Sequence, residues 1–171
     1  HEPAITKAAT EHFLYSTFGA GRVTTADAVA YIRAGSSSRA NSYDVVLSDL
    51  FDGANPRPSL SVEHFRRVKS GWLTTSGVLA LNIVAYRTGP HSMLARSAVR
   101  TLREAFSNVQ VYVDHAPTSD GAAVPSNLLA FASDGAIRFV PPRETAGSLH
   151  EGSIDHLFAN FAGWEAHELR A

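Results

Sequence analysis

At 171 residues, with 44% hydrophobic and 18% charged residues, the chain has enough apolar material for one domain with a sizeable core. Fifteen basic against sixteen acidic residues leave a net charge of −1, which excludes a basic field able to hold nucleic acid; the absence of cysteine excludes disulfides, thiolate metal sites and cysteine nucleophiles. No apolar run approaches the roughly 20 residues that a membrane span needs, and the start at His1-Glu2-Pro3 has neither the basic nor the apolar stretch of a signal peptide.

In chain order, Pro3 at a first helical position, followed by Ile5, Ala8, Ala9, His12 and Phe13, predicts an amphipathic helix that stops near Gly19 or Gly21. The β-branched run at 22–26 predicts a short strand, after which Asp27 can cap a helix reaching Ala34. Residues 35–42 are polar and loop-like. Residues 43–48, centred on Val45-Val46-Leu47, read as an apolar strand rather than an alternating one, as in a parallel strand covered on both faces. Residues 49–59 contain Gly53, Pro56 and Pro58 and read as a loop; Ser61 with Glu63 then opens a helix carrying Phe65, Val68 and Trp72. A turn at 75–77 leads into a strand at 78–83. Leu94, Ala98, Leu102 and Phe106 mark a helix over 92–106, and strands follow at 109–113 and 127–132. The loop at 114–126 holds no helix, so its flanking strands are expected to form an antiparallel pair at the sheet edge. Past Phe139 a tail follows, with one expected helix at 154–161. The pattern is α/β, with a domain at 1–139 and a tail at 140–171. His1 is not a methionine and Met93 is the sole one, so the chain reads as part of something longer.

In an open parallel sheet, ligands bind beyond the carboxyl ends of the strands. Asp27 follows the 22–26 run, Asp49 follows the 43–48 strand, and Asn82 lies near the end of the next one. Carboxylates and an amide gathered there can hold a ribose, an adenine or a cationic amine. The aspartates also have structural readings: Asp27 as a helix cap, Asp49 and the nearby Asp52 as turn residues in a Pro/Gly loop. The eight histidines carry no metal-ligand spacing, and no G-x-S-x-G is present. Gly19-Ala20-Gly21 follows a helix and reads as its stop.

The order of these pieces resembles the spermidine synthase family. Glu2-Pro3-Ala4-Ile5 through Phe13 is similar to the family's D-P-x-V-x-x-x-A-x-x-x-F helix, and Asp27-Ala28 to its D-A segment. Tyr43-Asp44-Val45-Val46-Leu47-Ser48-Asp49 resembles its Y-D-V-I-I-x-D strand, and Glu63, Phe65, Leu73, Gly77, Val78 and Asn82 follow its next helix and strand. The resemblance runs from Glu2 to Phe139. It implies the C-terminal portion of a Rossmann-like methyltransferase-type sheet that uses S-adenosylmethionine or its decarboxylated form. Asp27 would contact the cofactor's adenine with Ala28 beside it, Asp49 would deprotonate the attacking amine, and Asp52 and Asn82 would help bind that substrate. Polyamine synthases read D-S-S-D-P where this chain reads Asp49-Leu50-Phe51-Asp52-Gly53, so the aspartates keep their spacing and the proline is lost. The implied activity is aminopropyl transfer to an amine. The alternatives are a catalytically inactive structural subunit, or methyl transfer to a small-molecule amine or protein. The family's glycine-rich loop and ribose-binding acid would both precede Glu2. Two central strands, about 4.8 Å apart, would then come from upstream residues or a partner chain. The resemblance also implies a homodimer.

Overall fold

The computed structural model describes residues 3–12, 23–35, 41–50, 58–86, 89–113 and 125–138. Among them the chain runs α1 (Pro3–His12), α2 (Ala28–Gly35), β1 (Tyr43–Ser48), α3 (Val62–Gly71), β2 (Leu73–Tyr86), α4 (Met93–Ala105), β3 (Asn108–Val113) and β4 (Pro125–Ser133), with 3-10 turns at Pro58–Leu60 and Pro90–Ser92. The strands form one sheet in the order β1-β2-β4-β3. β1 and β2 are parallel, which a tight turn cannot connect, and α3 supplies the crossover. β4 returns antiparallel between β2 and β3, so the expected antiparallel pair closes one end of the sheet with β3 outermost. This is the mixed α/β, Rossmann-like methyltransferase-type sheet implied by the sequence.

One face of the sheet carries the core. Leu79, Leu81 and Ile83 of β2 alternate onto it, and their β4 partners Ala132, Ala130 and Leu128 fill the same face, because directly paired residues share a side. Phe65 and Val68 of α3 pack onto this layer together with Ala95, Val99 and Leu102 of α4. Both helices present apolar residues at the three-and-four spacing that buries one stripe. The ends of α3 are closed locally. Ser61 Oγ accepts from His64 N at 3.2 Å, and Trp72 N donates back to Val68 O at 3.0 Å. Trp72 in turn binds α2, its indole Nε1 donating to Ile32 O at 3.0 Å and its ring lying 5.3 Å from that of Tyr31.

The other face differs from the expectation of strands covered on both sides. Val45 and Leu47 of β1 are 59% and 75% exposed, and Val84 of β2 is exposed beside them. Among the described residues no helix covers that side.

Two further differences have local causes. Residues 23–25 are not in a strand. A strand needs a neighbour for its backbone groups, and the described sheet ends at β1; the Thr25 hydroxyl instead lies 3.3 Å from that of Thr6. The turn expected at 75–77 is an irregularity inside the longer strand β2: Tyr43 pairs with Leu73 but Val45 with Val78, so extra residues bulge on the β2 side. Gly77 permits this, since a Cβ there would sit 2.9 Å from Tyr43 O. β4 begins at Pro125 and ends at Ser133, beyond the expected limits. The continuation of the first helix past His12, the loop at 51–57 with Asp52, and the tail at 140–171 lie outside the described residues.

Candidate functional site

Strand register assembles the core of the candidate site. Ser48, the last residue of β1, pairs with Leu81, so the next residue, Asp49, falls beside Asn82. Asn82 Nδ2 donates to Asp49 Oδ1 at 3.0 Å. Asn82 is held from both sides, because its neighbour Leu81 pairs with Ser48 while Asn82 itself pairs with Leu129 of β4. Its side chain belongs to the face shared by Val78, Ala80 and Val84, away from the helices. Asn82 Oδ1 is buried and has no hydrogen-bond partner among the described residues. Buried acceptors are rarely left so, and the exceptions concentrate where another requirement overrides. Asp49 is exposed at the carboxyl end of β1. The resulting pair is a negative acceptor oriented by an amide donor, at the sheet edge where α/β folds bind ligands.

Asp27 sits at the start of α2. Its Oδ1 accepts from Ala30 N at 2.8 Å, and its carbonyl accepts from Tyr31 N at 2.9 Å. That is the helix-cap reading realised, and it engages one carboxylate oxygen. The other oxygen makes no hydrogen bond among the described residues, and Ala28 starts the helix directly after it, where backbone N–H groups lack internal partners. The C-terminal half of α2 is anchored at Trp72, where β1 and β2 begin. Asp52 lies outside the described residues. Asp49 and Asn82 are thus brought into contact, while Asp27 is engaged on its own helix.

Other polar groups have structural work. Lys69 and Asp134 form an ion pair at 2.7 Å; the Lys69 hydrogen bond holds the Asp134 carboxyl below its usual range, helped by Ser107. Burial lowers the pKa of His64, which packs edge-on to Phe65 with ring centroids 6.0 Å apart. An open depression of about 410 Å³ lies between α1 and Thr25, lined by Thr6, Lys7, Thr10 and Glu11; neither Asp49 nor Asn82 borders it. Among the described residues no cluster of three histidines or carboxylates could hold a metal, and no helix is long and apolar enough to cross a membrane. Sequence reasoning passed over the ring contact between Tyr86, at the end of β2, and His91, 5.4 Å apart. The 3-10 turn at Pro90–Ser92 holds His91 against the end of β2.

No protein-family model and no curated protein matches the sequence. Solved structures do match the fold. A probable spermidine synthase from Corynebacterium glutamicum superposes with a TM-score of 0.59 at 24% identity, over 83% of this chain and 47% of that one. A spermidine synthase from Thermotoga maritima gives 0.52 at 18% identity, over 78% and 43%. A spermidine synthase in complex with the transition state analogue AdoDATO gives 0.58 at 17% identity, over 78% and 44%. The chain spans less than half the length of each of these structures. Its fold is spermidine synthase-like.

Proposed function

We propose that the protein transfers an aminopropyl group to an amine, using decarboxylated S-adenosylmethionine or a related adenosyl cofactor. The observation that carries this reading is the Asp49–Asn82 pair at the carboxyl end of β1, on a spermidine synthase-like fold. A solved structure of this fold holds the analogue AdoDATO, which supports the choice of cofactor class. The groups at the start of α2 fit an adenine: the second carboxylate oxygen of Asp27 can accept from an exocyclic amino group, and the Ala28 N–H can donate to a ring nitrogen. The cofactor, when bound, supplies the sulfonium-activated carbon.

Asp49 holds the amine by opposite charge and receives its proton as the new C–N bond forms and the C–S bond breaks. Asp52, three residues on, adds a second carboxylate for a cationic substrate. The position of β1 at the edge of the described sheet, the exposed Val45 and Leu47, and the half-length match support completion of the sheet by an upstream segment or a partner chain. The family resemblance adds a homodimer to this reading.

Asp49→Asn keeps the shape and an acceptor oxygen but removes the charge and the base. Turnover with an amine acceptor should fall by about a hundred- to ten-thousand-fold, with little change in cofactor affinity. Asp27→Asn should weaken cofactor binding first. Unchanged turnover in both variants would reject the catalytic reading and favour a structural subunit. Cofactor binding lost equally in both would reject the division of roles.

A further inference from the structure

We infer that Asn82 is the positioning residue for Asp49: its side-chain amide fixes the carboxylate so that one oxygen is occupied and the other is presented to the substrate amine. The inference rests on the function proposed above. Asp49 follows the last paired residue of β1 and is exposed, so no strand neighbour packs its side chain into one rotamer. The Nδ2–Oδ1 contact at 3.0 Å supplies that constraint from a strand paired on both sides. A donor carried by a rigid element holds a reacting group more closely than one carried by a loop.

The unpaired Oδ1 of Asn82 belongs to the same amide and bears on how that amide is oriented. Leaving a buried acceptor unpaired is unfavourable, and turning the amide over is the simplest local change open to it. The turned amide would set Oδ1 against the Asp49 carboxylate, so two acceptors would face each other. The orientation observed is the one in which the amide donates to the Asp49 carboxylate.

The test is a double-mutant cycle in the complete protein with 1,4-diaminobutane as the acceptor. Asn82→Leu keeps roughly the side-chain volume and removes the donor. It should lower kcat by about a hundred-fold, the loss that follows from misplacing a reacting group by about 1 Å, with the KM for the adenosyl cofactor unchanged. Asn82→Gln, which retains the amide, should recover part of kcat. In an Asp49→Asn background, Asn82→Leu should have little further effect, because the group it positions is already disabled. Additive losses in the two backgrounds would overturn the inference. If the unmodified protein transfers no aminopropyl group, the proposed function fails, and the crystal structure of Asn82→Leu decides the positioning role by itself. Displacement of the Asp49 side chain upholds that role; an unmoved Asp49 overturns it.

Discussion

Asp27 shows how one residue can satisfy a structural role and remain open to a functional one. A cap bond to Ala30 N needs a single carboxylate oxygen, and replacing such a residue by alanine costs about 1 kcal/mol. If the protein were only a scaffold, that helix cap would be the entire effect of changing Asp27. His64 gives a residue-scale prediction about pH. Burial lowers its folded-state pKa below the ordinary 6.5, so the folded protein binds its proton less readily than the unfolded chain. The stability contributed is therefore complete above about pH 6.5 and is lost as pH falls from there through the folded value. Asp134, lowered from 3.8 chiefly by Lys69, acts in the same direction in a more acidic window. Urea unfolding midpoints should fall between pH 7 and pH 5, and His64→Gln should flatten that fall. A pH dependence equally steep in the variant would show that other groups cause it.

At the scale of elements, Gly77 connects sequence to register. The triplet at 75–77 looks like a turn because glycine follows two small hydroxyl residues, yet the ladder continues through it with residues bulged against β1. A Cβ at Gly77 would approach Tyr43 O to 2.9 Å and Leu73 Cβ to 3.0 Å, and backbone cannot move aside as a flexible side chain can. Gly77→Val should therefore destabilise the protein by about 1–3 kcal/mol, the usual range for overpacking, read as a lower denaturation midpoint. An unchanged midpoint would mean that β1 and β2 can slide past each other at this point. The same register decides the site. Were β1 shifted by one residue against β2, Asp49 would no longer face Asn82, and Val45 and Leu47 would exchange faces with Val46.

For the whole molecule, the prediction concerns cofactor binding. The sequence contains no G-x-G-x-G loop, and the start of α2 offers an adenine only a carboxylate oxygen and a backbone N–H. Calorimetry on the 171-residue chain by itself should detect no binding of S-adenosylmethionine or its decarboxylated form; micromolar affinity would show that these few groups suffice. The sequence by itself determined the α/β class, the helix caps at Asp27 and Ser61, the apolar strands and the antiparallel return of the last one. These follow from local preferences: side-chain period, capping oxygens, and a connection too short of helix to cross over. It also singled out Asp49 and Asn82, but only as residues near strand ends. Tertiary structure alone decided that they touch, because their contact, 33 positions apart along the chain, depends on the parallel register of β1 and β2. Tertiary structure likewise decided that the described helices pack one face of the sheet while Val45, Leu47 and Val84 on the other are exposed. An apolar strand reads the same whether its second face meets a helix or not, since hydrophobicity records the need for burial and not the neighbour that provides it.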